Sequence, residues 1–217
     1  MPNPQNFDRL AGFYRLLEYL AFGRDLERAR WSLLDRLAGR RRILILGEGD
    51  GRCLARLVRI APDAEIDCVE ASGAMIARAR ARLAAEALGR VRFHQRDALT
   101  FEFPDAAYDA VVTLFFLDCF TAGTVADLVK RVDRSLRPGS RWLFADFVMP
   151  AAGLARWRAQ IWLRILYSFF RWQTGIPARR LPPSEALIEA AGFRREETLE
   201  YQWGLLRAAL YCGRAPG

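Results

Sequence analysis

Lysine and histidine are almost absent from this chain: among its 217 residues, Lys130 and His94 are the only representatives. One histidine cannot supply the imidazole cluster of a zinc site. The four cysteines, Cys53, Cys68, Cys119 and Cys212, lie far apart with no C-x-x-C pair, so neither a metal nor a disulfide framework is expected. They read as buried, reduced thiols, and His94 as an ordinary sheet residue. Long apolar runs are missing too, since the most apolar late stretch, residues 161–170, is broken by Arg164 well short of a membrane span. Residues 1–6 have neither the basic start nor the apolar run of a secretion signal, so a soluble, cytoplasmic protein is expected. Repeats, low-complexity tracts and linkers are also lacking. At 52% hydrophobic residues, the chain reads as one domain over 1–217 around one sizeable core.

The formal net charge of +8 invites a nucleic-acid partner. Its distribution argues otherwise. Nearly all the positive charge is arginine, spread through every segment, and a run such as Arg78, Arg80 and Arg82 reads as a solvated helix face. No nucleic acid is expected.

What the chain does have is alternation. Two helical stripes come first: Leu10, Phe13, Leu16, Leu17 and Leu20, then Leu26, Ala29, Leu33, Leu34 and Leu37 after Gly23. Strand-like runs at 43–46, 65–69, 91–94, 108–114 and 141–147 follow, with helical patterns at 52–60, 73–88 and 125–136 and a turn at Pro138-Gly139. Strands joined by helices require crossovers, which give a mostly parallel, doubly wound α/β sheet covered on both faces. An aromatic helical stretch at 154–173, a short helix at 184–191 and two close strand-like runs at 193–201 and 205–212, read as an edge hairpin, complete the pattern. The layout is thus a helical cap (1–40), a cofactor-binding core (41–150), an aromatic lid helix (151–182) and a terminal helix with hairpin (183–217).

The first strand-like run ends in Gly47-Glu48-Gly49-Asp50-Gly51, and a helix pattern follows. Glycine at every second position permits positive φ and close approach of a ligand, and the helix start adds unpaired N–H donors, so a nucleotide-like guest fits there. Ligands of such sheets sit beyond the carboxyl ends of the strands. At that edge the second strand ends in Glu70, whose two oxygens match the vicinal diol of a ribose. Ser72 reads as a helix N-cap, Met75 as a flexible thioether able to lie on a flat base, and Asp97 as an acceptor for an adenine amino group.

In these pieces the chain resembles the class I S-adenosylmethionine-dependent methyltransferases over essentially its whole length. The matching stretches are 43–51, 69–76, 95–98, Tyr108-Asp109-Ala110-Val111-Val112 and Leu136-Arg137-Pro138-Gly139-Ser140, in the family's order and spacing. The resemblance implies a seven-stranded sheet with a reversed last strand. It also implies S-adenosylmethionine as cofactor, its methionine part near Gly47, Glu48, Gly49 and Gly51, its ribose on Glu70, and its adenine between Met75 and the Asp97-Ala98 pair. Ala71 and Phe115 join the expected cofactor contacts, as does Tyr14 on an amino-terminal helix lying over the cofactor. One departure stands out: the family commonly has an acid two residues before the first glycine, where this chain has Ile45, while Glu48 and Asp50 put acids inside the loop. A dinucleotide-binding G-x-G-x-x-G fails in either frame, because Arg52 or Leu54 would take the last glycine's place. An NAD(P)-dependent oxidoreductase therefore ranks below a methyltransferase, and a non-catalytic binding module is the other alternative.

Methyl transfer from a sulfonium is an in-line displacement, so orientation does most of the work and a base is needed only when the acceptor must lose a proton. Asp118, just past the fourth strand, is the catalytic candidate, with Asp146 at the end of the fifth strand a second. Leu154, Trp157, Ile161, Ile165, Phe169 and Trp172 recur at helical spacing. They read as the wall of an apolar acceptor pocket that could also rest on a membrane surface across 154–172. A quinone-like, lipid-like or secondary-metabolite-like acceptor is expected.

Overall fold

The computed structural model describes residues 23–150, 181–214 and, between these, 152, 153, 156–158 and 160. Tyr14, with the first helical stripe, and most of the aromatic stretch at 154–172 lie outside the described residues.

Seven strands form one sheet in the order β3-β2-β1-β4-β5-β7-β6. They are β1 (Arg42–Leu46), β2 (Glu65–Glu70), β3 (Val91–Gln95), β4 (Tyr108–Leu114), β5 (Leu136–Phe147), β6 (Arg194–Tyr201) and β7 (Leu206–Cys212). β1 to β5 pair in parallel, and β7 runs antiparallel between β5 and β6. The strand reversal places the terminal hairpin as anticipated, with β6 at the edge and β7 inside the sheet.

Both faces are covered, and the strands show why. Successive side chains point to opposite faces, so Ile43 and Ile45 of β1, Ile66 and Cys68 of β2 and Val112 of β4 share one core with Leu54 and Leu57. Leu44, Leu46, Val111, Trp142 and Phe144 share the other with Val125, Val129 and Val132. The helices supplying these partners are α2 (Arg52–Ile60) and α5 (Ala122–Ser135); α1 (Asp25–Trp31), α3 (Gly73–Ala81), α4 (Ala85–Leu88) and α6 (Ser184–Ala190) complete the described elements.

Three boundaries differ from the sequence reading. The pattern at 73–88 is two helices, because the chain leaves α3 at Arg82, whose guanidinium binds the carbonyl and carboxylate of Asp50 at 2.7 and 2.8 Å. The second stripe of the amino-terminal region ends its α-helix at Trp31 and continues as a 3-10 turn over Leu34–Leu37, with the Ser32 hydroxyl donating back to the Ala29 carbonyl. Such a bond competes with the helical ladder. Pro138-Gly139 is not a turn ahead of the strand but part of β5, where Gly139 adopts φ +70° and its N–H donates to the Arg214 carbonyl at 2.7 Å. Away from the ligand edge, Asp67 is buried and gathers Tyr108, Arg92 and His94, the last at 2.8 Å, so His94 serves the sheet as expected.

Candidate active site at the carboxyl edge of the sheet

The turn after β1 holds Gly47, Gly49 and Gly51 at φ +68°, +69° and +86°. Three glycines in this region are required by backbone strain alone, but only one faces outward. A Cβ on Gly47 would stand 2.2 Å from the Phe116 ring, and one on Gly51 would stand 2.4 Å from the Ala79 Cα of α3. Those two glycines let the protein pack against itself. A Cβ on Gly49 would meet nothing within 4 Å. The turn is therefore open to a guest at its middle.

Glu70, at the end of β2, is tied to that opening. Its carboxylate accepts the Gly49 N–H at 3.0 Å through one oxygen and the Ser72 N–H at 2.9 Å through the other. An ionised carboxylate has about four acceptor positions, two on each oxygen, and its paired oxygens match two adjacent ribose hydroxyls. Ser72 caps α3 as read from the sequence, accepting the Met75 N–H at 3.2 Å, and so fixes half-buried Met75 at the start of that helix. Ala71 beside it is exposed. Asp97 follows β3, and one of its oxygens accepts the Leu99 N–H at 2.9 Å while Ala98 is buried. The sheet order thus brings Gly47 to Gly51, Glu70, Ala71, Met75, Asp97 and Ala98 to one edge in an arc across β1, β2 and β3.

The acids inside the loop have separate duties. Glu48 turns back onto α2 and accepts the Leu54 N–H at 2.8 Å, satisfying a donor of the first helical turn. Burial raises its carboxyl from 4.5 to about 8. Burial also acts to raise the Asp50 carboxyl, but Arg52 and Arg82 outweigh it and hold that carboxyl below the usual aspartate value. Arg52 also reaches Glu27 at 2.9 Å, which fastens α1 over this edge. Folded Glu48 binds its proton up to about pH 8 whereas the unfolded chain releases it near 4.5, so stability falls as pH rises through that window. Glu48→Gln keeps the oxygen that receives Leu54 N–H and never acquires the buried charge. Its melting temperature should rise relative to wild type between pH 5 and pH 8 by about 3 °C or more in calorimetric scans, and a constant difference would contradict the buried, protonated state.

Beyond β4 the wall is aromatic. Phe115 sits at φ +53°, its N–H donating to the Ala145 carbonyl at 2.6 Å, and its ring packs on Phe147 at 5.4 Å. The Arg30 guanidinium of α1 lies over it at 5.0 Å, and Phe116 stacks edge-on with Phe120. Asp118 follows in a 3-10 turn, half-buried, with burial lifting its carboxyl to about 6. Its N–H donates to Asp146 at 3.0 Å, so the two acids named from the sequence meet. Arg30 was not anticipated, because in sequence it is one more arginine on an amphipathic stripe. Among the described residues no group of histidine, cysteine or acidic side chains is arranged to hold a metal ion.

A model of the methyltransferase domain matches residues 43–139, from the first strand through the Pro138-Gly139 segment. A demethylmenaquinone methyltransferase of Thermus thermophilus is 36% identical over 152 residues, covering 68% of this chain and 66% of that protein. A ubiquinone/menaquinone biosynthesis C-methyltransferase of Syntrophotalea carbinolica is 29% identical across 97% of this chain and 94% of its own. The fold matches an O-methyltransferase family protein of Burkholderia thailandensis with a TM-score of 0.69 at 17% identity, over 88% of this chain and 56% of that one. This chain belongs to the class I S-adenosylmethionine-dependent methyltransferases. The seven-stranded sheet with its antiparallel β7 is the family's architecture as anticipated, and S-adenosylmethionine is the family's cofactor. The matched region spans just under two thirds of the Thermus relative's own length, at 66%. No helix among the described residues is long and apolar enough to cross a membrane.

Proposed function

We propose that this methyltransferase moves the methyl group of S-adenosylmethionine to a small, largely apolar or aromatic acceptor of quinone-like, lipid-like or secondary-metabolite-like character. The observation that carries the reading is Glu70, fixed by Gly49 N–H and Ser72 N–H beside the one open glycine of the turn. Gly47, Glu48, Gly49 and Gly51 would hold the methionine part, Glu70 with Ala71 the ribose, and Met75, Asp97, Ala98 and Phe115 the adenine and its surroundings. Bound there, S-adenosylmethionine supplies a methyl group on a leaving group that departs as a neutral thioether. The chain's own task is to orient the acceptor and, where needed, take its proton at Asp118. Phe115, Phe116, Phe120 and Phe147 give the acceptor an apolar wall, in keeping with the quinone named for the Thermus relative.

Calorimetry with S-adenosylmethionine, followed by incubation of the protein with methyl-labelled cofactor and fractionated cell metabolites, tests this. Binding and a labelled apolar product are expected; no binding by wild type removes the reading, and binding without product makes the chain a non-catalytic module.

The acceptor side of the sheet would also touch lipid. Trp203, in the hairpin between β6 and β7, is 74% exposed beside the end of β5, Trp157 is 61% exposed, and the Arg158 guanidinium lies 4.9 Å over the Trp203 ring. Indole with neighbouring arginine suits an anionic bilayer interface, where the ring is half wet and the cation meets phosphate. Flotation with phosphatidylglycerol vesicles should recover the wild type, and Trp203→Ser should lower the bound fraction several-fold. Equal recovery of both proteins would remove this contact.

A further inference from the structure

Two carboxyl groups meet where β4 and β5 end. Asp146 is 1% exposed; one of its oxygens accepts the Phe147 N–H at 2.9 Å and the other the Asp118 N–H at 3.0 Å. The Asp118 backbone is thus held on the Asp146 carboxyl, and the two side chains are close enough for each charge to act on the other. Two carboxylates have no donor between them. One proton in the pair removes the repulsion of two like charges in a closed site, and the surroundings decide where it lies. Asp146 is enclosed, while Asp118 is half open, lies in the positive field of Arg30 of α1 and accepts from the Cys119 thiol at 3.6 Å. Glu70 of β2 faces the same turn from across the pocket through its field on Cys119, and burial keeps that thiol protonated.

We propose that the pair shares one proton held by Asp146, that Asp146 is thereby a positioning residue keeping Asp118 ionised and aimed, and that the site selects acceptors whose attacking atom carries an acidic O–H or C–H. The inference rests on Asp118 being the base of the proposed methyl transfer. Burial, reinforced by the neighbouring Asp118 charge, pushes the Asp146 carboxyl far up, whereas Asp118 reaches only about 6 and is ionised at neutral pH. In the proton step the acceptor's O–H or C–H bond breaks, its electron pair stays on that oxygen or carbon, and the proton forms a new O–H bond on Asp118. The proton then leaves to solvent through the open side of Asp118. Phenols, hydroquinones and enolisable carbons meet this requirement; tertiary amines and thioethers, with no proton to give, gain nothing from the pair.

Carbon NMR of the free protein labelled at the aspartate carboxyl carbon, titrated from pH 4 to pH 9, tests the pair directly. One resonance should titrate near pH 6 and vanish in Asp118→Asn, and a second should keep the shift of a protonated carboxyl through pH 8 and vanish in Asp146→Asn. Asparagine at 146 still offers a donor to Asp118, although its NH2 group also faces one of the two backbone N–H groups that the acid accepted, so Asp146→Asn should lower turnover with 1,4-dihydroxynaphthalene as probe but retain its pH midpoint, while Asp146→Ala should displace that midpoint by about one pH unit. If every aspartate is ionised at pH 7 in the wild-type spectrum, the proposal is overturned, whether or not the variants fold. Equal effects of Asn and Ala at 146 would also overturn it, leaving a packing role. S-adenosylmethionine calorimetry on the same samples separates the two levels: absent binding removes the methyl-transfer reading, while the titration is read without cofactor.

Discussion

Replacing Glu70 by alanine is expected to weaken S-adenosylmethionine binding by about 100-fold or more while the protein stays folded. Hydrogen bonds to a charged group contribute about 1.5–3 kcal/mol each, and two ribose hydroxyls on one carboxylate correspond to at least two decades at about 1.4 kcal/mol per decade. The loss should fall toward the lower end of that range. Glu70 spends part of its acceptor capacity on Gly49 N–H and Ser72 N–H, and in the variant water can reach these two donors at the open turn. The carboxylate does two jobs, fixing the turn and receiving the diol, and Glu70→Gln separates them. Its amide oxygen can still receive one backbone N–H, but its NH2 group faces the other donor, so an intermediate loss is expected. Calorimetric dissociation constants at 25 °C, with melting curves as a folding control, decide the matter. An unchanged constant for Glu70→Ala would take the ribose away from this residue and with it the cofactor's orientation on the sheet.

The arc from Gly47 to Asp97 was legible because each member follows its own strand within a few residues. A parallel sheet carries all such positions to one edge whatever the details of packing. What the glycines do individually was not legible. Gly47 and Gly51 are needed by Phe116 and Ala79, which are 69 and 28 positions away, and only the packed structure shows that Gly49 alone faces open space. Helix ends were missed where side chains reach for distant partners, as Arg82 does for Asp50. Arg30 escaped notice for the same reason: its place over Phe115 depends on α1 crossing the sheet edge, held there by Leu26 and Ala29 against Leu205 and Leu206. Asp118 and Asp146 could each be named from their places after β4 and within β5. Their contact could not, because it needs the register that sets Leu114 beside Ala145.

Asp118→Asn is the second substitution with a large expected effect, and it acts on turnover instead of binding. A positioned general base contributes about 100- to 10,000-fold, and asparagine keeps the shape of the side chain while losing the capacity to take a proton. With 1,4-dihydroxynaphthalene as acceptor, kcat should drop by about that factor, and the dissociation constant of S-adenosylmethionine should change less than threefold, because the ribose and methionine contacts lie on β1 and β2. The pH profile supplies the sign. Wild-type turnover should fall as pH drops through about 6, where Asp118 gains the proton that disables it. The variant's remaining turnover should instead rise with pH as the acceptor ionises unaided in solution, with no inflection near 6. If kcat is preserved, proton removal is not carried by this residue, and the buried acids at the ends of β4 and β5 would then serve only to hold the turn that follows Phe116.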